Sequence, residues 1–234
     1  MDCLCKRLAG DDIEISSACI GSLWLFDSLS RAEKEAIALA AHRRRLPSGK
    51  IIFHQGEAAN QMFLIKGGRI KLSKVTEEGL EITLDIRKAG DFLGENMLNQ
   101  DVAFPVTATC LTDAVLCGFS KTGFEELILA HPNIGLQVIR NLSRRIDWLT
   151  SQVGSISRSN LEERLYRVLV NVAREHGRQN QQGLLLDMPL THEDLGFLVG
   201  AHRVSITRAM KALKQAGRVM QQGQVWLIKP EEQL

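Results

Sequence analysis

The sequence predicts an α+β fold in three parts: an N-terminal double-stranded β-helix (jelly roll) barrel, a long helix, and a C-terminal winged helix-turn-helix. Three patterns predict it. Short apolar runs punctuated by glycine fill residues 46–119, an apolar stripe of alternating narrow spacings follows at residues 139–156, and residues 184–229 run helix, glycine-containing turn, helix, hairpin.

With 234 residues, 44% hydrophobic and 24% charged, the chain can bury two compact cores and solvate them, which excludes disordered and collagen-like classes. No apolar run reaches the ~18 residues of a membrane span. Met1 to Gly10 carries no basic head followed by an apolar stretch and a cleavage site, so a cytoplasmic protein with no membrane partner is expected. The net charge of +2 allows nucleic-acid binding without arguing for it. Cysteines stand at 3, 5, 19, 110 and 117; this odd, uneven set argues against a disulfide scaffold and leaves metal binding, redox sensing or plain burial.

In the first part, Lys50 to Phe53, Gln61 to Lys66, Arg69 to Val75 and Glu81 to Ile86 read as strands, each closed by a glycine-containing turn. Thr76-Glu-Glu-Gly79 reads as the hairpin turn between two of them. Evenly spaced short strands point to a barrel or jelly roll rather than a βαβ sheet. A purely structural barrel is the alternative to a ligand-binding one.

In the second part, Ile139, Leu142, Ile146, Leu149, Val153 and Ile156 recur at spacings of 3, 4, 3, 4 and 3, the seam of a helix that packs against a twin. Arg140, Asn141, Arg144, Arg145, Asp147, Thr150 and Gln152 form its polar face. The stripe is longer than one small barrel needs covered, so a homodimer is expected. Gly154 and the serine-rich residues 155–159 read as a hinge, and Asn160, with Glu163 three residues on, caps a further helix through Leu165, Val168, Leu169 and Val172.

In the third part, Leu184 to Met188 is strand-like and Thr191 is an N-cap for His192 to Leu198, with Asp194 at the third helical position. Val199-Gly200 breaks that helix, His202 to Gln215 forms a second, and residues 221–224 turn between two short strands. The start of the second helix suits a major groove. Arg203 and Arg208 offer forks to guanine or phosphate, Ser205 and Thr207 can reach phosphates or bases, and Thr191 could clamp a phosphate through its hydroxyl and the N–H groups behind it. His202 lies at the same edge. The bland alternative makes these ordinary surface charges. Paired carboxylates, a nucleophile motif and a phosphate loop are not seen, so an enzyme is not expected.

The chain resembles the CRP/FNR family of bacterial transcription regulators over roughly residues 23–229. The pieces are Pro47-Ser-Gly-Lys-Ile-Ile-Phe-His-Gln-Gly-Glu57, Met62-Phe-Leu-Ile-Lys-Gly-Gly-Arg-Ile-Lys-Leu72, Ala89-Gly-Asp-Phe-Leu-Gly-Glu95 and Leu195-Gly-Phe-Leu-Val-Gly-Ala-His-Arg-Val-Ser-Ile-Thr-Arg208, in order. The resemblance implies a cysteine-containing extension at residues 1–22, a cyclic-nucleotide-binding-like sensor barrel at 23–130, a dimerisation helix at 131–157 and a DNA-binding domain at 158–234. It also implies a signal-responsive homodimer on a two-fold symmetric operator in double-stranded DNA, with RNA polymerase as a partner and activation the commoner output. The effector pocket it implies lies at Gly94, Glu95, Phe104 and Thr107.

Three departures from the family pattern matter. Where the cyclic-AMP receptors carry Arg-Ser to bind the phosphate, this chain has Phe104-Pro105, which offers apolar surface and no cation; an effector other than cyclic AMP is expected, an apolar or aromatic ligand or none. In the second helix the family's glutamate position is Val204, which can touch a thymine methyl but cannot accept from cytosine, so the operator should shift towards A·T at one base pair. Finally, Cys117 matches the barrel cysteine that ligates an iron-sulfur cluster in the oxygen-sensing branch. Cys3, Cys5 and Cys19 would complete four thiolates for a 4Fe-4S cluster, although their spacing is not that branch's tighter one. An oxygen or nitric-oxide sensor, a thiol switch and a small-organic-ligand regulator stay open.

Overall fold

The computed structural model describes residues 27–99, 102–156, 160–223 and 225–229. The chain separates into two compact units, one of residues up to Glu81 with Asp85–Arg145, the other of Ile82–Leu84 with residues from Ile146 onward.

The first unit opens with α1 (Arg31–Ala40), whose N-terminus is closed by a reciprocal box: Ser30 Oγ accepts from the Glu33 N–H, and the Glu33 carboxylate accepts from the Ser30 N–H. Strands β1 (His42–Leu46), β2 (Ile51–Phe53), β3 (Gln61–Gly67), β4 (Arg69–Val75), β5 (Glu81–Lys88), β6 (Phe92–Leu93), β7 (Thr107–Cys110) and β8 (Ala114–Ser120) follow. They form two four-stranded sheets, β1-β8-β3-β6 and β2-β7-β4-β5, with antiparallel pairing wherever the register is resolved. Leu46, Ile65, Leu93 and Leu116 of the first sheet share one core with Phe53, Ile70, Leu72 and Ala108 of the second. The expected jelly-roll barrel is thus met at a coarser level, as a β-rich unit: among the described residues neither sheet closes, and β6, only two residues long, leaves an edge. Strand β5 runs two residues beyond the expected Ile86, and its Arg87 is buried rather than solvated.

Two helices complete this part of the chain, α2 (Lys121–Ala130) and α3 (Pro132–Ile156). The α3 stripe at Ile134, Val138, Asn141 and Arg145 is buried against its own unit. An adjacent stripe is not: Ile139 is 62% and Ile146 63% exposed, Leu149 is exposed, and Leu142 lies half-buried between the two faces. The side chains of Val153 and Ile156 lie outside the described residues. The polar face expected of α3 is therefore partly an interior one. Arg145 pairs with the Asp85 carboxylate, which also accepts from Arg87 Nε at 2.7 Å, and the Asn141 amide donates to the Gly90 carbonyl at 3.1 Å.

The second unit contains α4 (Leu161–His176), β9 (Arg178–Asn180), β10 (Gly183–Asp187), α5 (His192–Val199), α6 (Arg203–Gln215), β11 (Val219–Gln222) and β12 (Val225–Ile228). The four strands form one antiparallel sheet, β11-β12-β10-β9. Asn160 caps α4 by accepting from the Glu162 N–H, while Glu163, expected to complete a box, turns to Arg167 and Arg218 instead. Leu165, Leu169, Leu195, Val199, Ile206, Met210 and Leu213 form the core between α4, α5 and α6. The turn from α5 to α6 is tight. Gly200 closes α5 in the left-handed region (φ 71°), and a Cβ on Gly196 would stand 2.5 Å from the Ala201 carbonyl oxygen. Only glycine allows that approach.

Gly196→Ala must therefore push the two helices apart; calorimetry should show the second unit destabilised by about 1–3 kcal/mol. Asp85→Ala leaves two buried guanidinium groups without their shared carboxylate, and should destabilise the first unit by about 3–5 kcal/mol, more than Arg145→Met, which leaves Asp85 with Arg87. Denaturant unfolding of the two variants checks that order.

Candidate functional site

Helix α6 has two unlike sides. Ile206, Ala209, Met210 and Leu213 are buried, and Arg203, Val204, Thr207, Arg208 and Lys211 are exposed, the spacing of one helical face. Val204 is 64% exposed, a β-branched apolar residue set between two arginines and left largely open to solvent. His202 is the exposed N-cap of the helix and Ser205 lies at the margin, half-buried. Thus five of the seven residues expected to read DNA share one exposed edge, Ser205 flanks it, and Thr191 stands apart on the preceding helix.

Thr191 and Asp194 form a reciprocal box at the start of α5. The Asp194 N–H donates to Thr191 Oγ1 at 3.0 Å, and both the N–H and hydroxyl of Thr191 donate to Asp194 Oδ2, at 3.0 and 2.7 Å. The Thr191 hydroxyl donates within the cap, which fixes the start of α5. His192, one residue on, opens the helix that Thr191 caps. Its Nδ1 lies 3.0 Å from Thr207 Oγ1, and that hydroxyl donates in turn to the Arg203 carbonyl at 3.0 Å. No sequence pattern links two residues fifteen apart; only the helix-turn-helix register brings them together. Burial, then the nearby Lys214 and Arg203, hold the His192 imidazole below its ordinary pKa.

In the first unit, Gly94 is in the left-handed region (φ 74°), and a Cβ there would meet the Gln61 carbonyl at 2.7 Å and Phe104 Cε1 at 2.9 Å. Phe104 is 4% exposed and stacks on Phe53 with ring centroids 3.9 Å apart. Glu95 opens the short 3-10 turn that follows Gly94 and accepts from Arg87 Nη2 at 3.1 Å; Arg87 Nη1 donates to the Phe92 carbonyl at 2.9 Å. Thr107 Oγ1 accepts from the Gln55 N–H at 3.0 Å. Gly94 and Phe104 are therefore in contact, while the polar groups of Glu95 and Thr107 are engaged with other partners. Asp85, Arg87 and Arg145, which tie Glu95 to α3, carried no distinguishing signal in the sequence, where each reads as a surface charge.

The iron-sulfur expectation is corrected. Among the described residues no group of three or more His, Cys, Asp or Glu side chains could hold a metal ion. Cys117 is fully buried on β8, its backbone paired with Arg43 and Leu64 on either side, in the hydrophobic core of the unit. A thiolate ligand needs charge-stabilising surroundings, and an apolar core disfavours it. Cys110 is buried in the same core, where burial and Asp113 push its thiol pKa up. Cys3, Cys5 and Cys19 lie outside the described residues.

Residues 43–131 match the family described as a cyclic nucleotide-binding domain, and residues 163–234 the family described as a Crp-like helix-turn-helix domain. A CRP-like cAMP-activated global transcriptional regulator of Mycobacterium tuberculosis is 25% identical over 205 residues, 86% of this chain and 92% of that protein. The anaerobic regulatory protein of Bacillus subtilis is 22% identical over 192 residues, 82% of this chain and 81% of that one. Among solved structures, the c-di-GMP-responsive regulator CLP of Xanthomonas campestris superposes with a TM-score of 0.73 at 22% identity, covering 86% of this chain and 100% of that one. FixK2 of Bradyrhizobium japonicum does so at 0.68 and 15% identity, over 81% and 93%. Among the described residues no helix is long and apolar enough to cross a membrane. The β-rich unit, the helix-turn-helix unit and these matches agree: the chain belongs to the CRP/FNR family of signal-responsive, dimeric, DNA-binding transcription regulators, which are not enzymes.

Proposed function

We propose that the protein binds a two-fold symmetric operator as a homodimer, with α6 in the major groove of each half-site, and that its signal is not cyclic AMP. The observation that carries the DNA reading is the exposed α6 face of Arg203, Val204, Thr207 and Arg208. In it, Arg203 and Arg208 supply the guanine or phosphate contacts, His202, Ser205 and Thr207 the polar edge, and Val204 an apolar contact to a thymine methyl. Thr191 holds the supporting helix in register. Ile139, Leu142, Ile146 and Leu149, continued by Val153 and Ile156, form the seam between twin α3 helices; the exposure of Ile139 and Ile146 supports it, since large apolar groups left in water favour association. RNA polymerase is the protein partner in this reading, as the family resemblance implies.

The effector reading rests on the residues around Gly94. A cyclic nucleotide phosphate needs a cation and donors, and beside Gly94 stands the buried Phe104 ring, while Glu95 is already held by Arg87. The Phe53–Phe104 stack favours a small organic, aromatic ligand over a nucleotide.

Selection of duplexes from a random-sequence pool by the full chain, followed by fluorescence anisotropy, tests the DNA reading. The selected sites should be palindromic with half-sites about one helical turn apart. Arg203→Ala should weaken binding by about 1–3 kcal/mol and relax one base pair, and Val204→Glu should move the preference at its position from A·T towards a cytosine. Selection of no common sequence overturns this reading. Titration calorimetry with cyclic AMP should give no saturable heat; micromolar binding would refute the pocket argument.

A further inference from the structure

Resting on the DNA-binding reading, we propose that His192 is a proton-linked phosphate contact: its imidazole, oriented by Thr207, takes up a proton as it meets the DNA backbone, so operator affinity rises as pH falls.

The orientation follows from one hydroxyl proton. Thr207 Oγ1 donates to the Arg203 carbonyl at 3.0 Å, so towards His192 it can only accept, and the Nδ1 that lies 3.0 Å away must be the protonated nitrogen. In the neutral ring Nε2 is then a bare acceptor. A phosphate oxygen is also an acceptor, so the neutral ring has nothing to give it. Once protonated, the same ring donates through Nε2 without giving up the bond to Thr207, and carries a positive charge.

Position supplies the ligand. Thr207 lies on the exposed face of α6 with Arg203, Arg208 and Lys211, so the half-buried ring of His192 flanks the surface that phosphates approach. The charges that bear on it from α6 are Arg203 and Lys214; on its own helix are Glu193 and Asp194, the latter engaged in the Thr191 cap. Burial and the two cations favour the neutral ring in the unbound protein. DNA reverses that balance, because phosphates neutralise Arg203 and Lys214 and add negative charge beside the ring. A group whose pKa is higher in the complex than in the unbound protein makes binding tighter below the complex value. That gain is lost as pH rises through it.

The test measures the affinity of a selected operator duplex at about pH 6 and about pH 8, over a series of salt concentrations, for the wild-type chain, His192→Gln and, as a control, the exposed His54→Gln of the first unit. Wild type should bind up to about tenfold tighter at the lower pH. Its logarithmic salt slope should be steeper there by about 0.9, one additional phosphate contact. His192→Gln should abolish both differences, whereas His54→Gln should keep them. Proton NMR of the wild-type histidines reads the same event without a variant: the His192 pKa should rise when DNA is added. If wild type binds DNA with no dependence on pH, or His192→Gln keeps the full dependence, the inference is overturned while the DNA reading stands. If the chain selects no duplex at either pH, both fall together.

Discussion

A single buried carboxylate shared by two guanidinium groups governs the first unit. An ionised Asp85 in that interior would cost several kcal/mol alone. Arg87 and Arg145 answer it, and because two cations exceed one anion, Glu95 completes the balance through Arg87. Four charges from β5, the turn after Gly94, and α3 therefore hold one another. The long helix cannot slide along the sheet without breaking the Arg145 pair, and the turn that carries Glu95 is anchored to the same strand. Geometry at the Gly94–Glu95 turn and the seating of α3 on its unit are in this way two views of one electrostatic arrangement.

The second unit is governed by close packing. Helix α6 presents a charged face outward because Ile206, Met210 and Leu213 are held inward against α4 and α5, and because the glycine at 196 lets the turn come within contact of α5. The Thr191–Asp194 box fixes where α5 begins. The polar edge of α6 is then stitched to α5 by the His192–Thr207 bond. Rigid support behind, and polar groups with defined direction in front, are what reading base edges demands.

Much of this was legible in the residues. Periodicity located the end of α3 and both helices of the helix-turn-helix to within one or two residues, and for the latter pair a 3.6-residue repeat bounded by Thr191, Gly200 and Gly217 leaves little freedom. The exposed face of α6 followed from the same repeat. Strands β1, β6, β7 and β8 were harder: His42–Leu46 is mostly basic, and β6 is two residues long, so neither shows alternation. Buried polar partners were not legible at all. Arg87 and Arg145 look like solvent-facing residues until a carboxylate sixty positions from one of them is brought alongside, and Asn160–Glu163 looked like a capping box until Arg218 claimed the glutamate. Cys117 shows the converse error, a chemically suggestive residue that is fully buried in the hydrophobic core.

The Phe104 ring beside Gly94 has a consequence for the proposed effector. Buried and stacked on Phe53, it already fills the space next to the Gly94 backbone, and a tethered ring never diffuses away. A ligand taking that place would bind only in the fraction of time that the ring is out, and its apparent affinity would be reduced by that fraction. What it gains would also have to exceed the Phe53–Phe104 stack it displaces, about 0.5–1.5 kcal/mol beyond simple burial. Under that reading the response has a threshold: weak look-alikes are passed over, and only a compound that fits the space better than the phenylalanine answers.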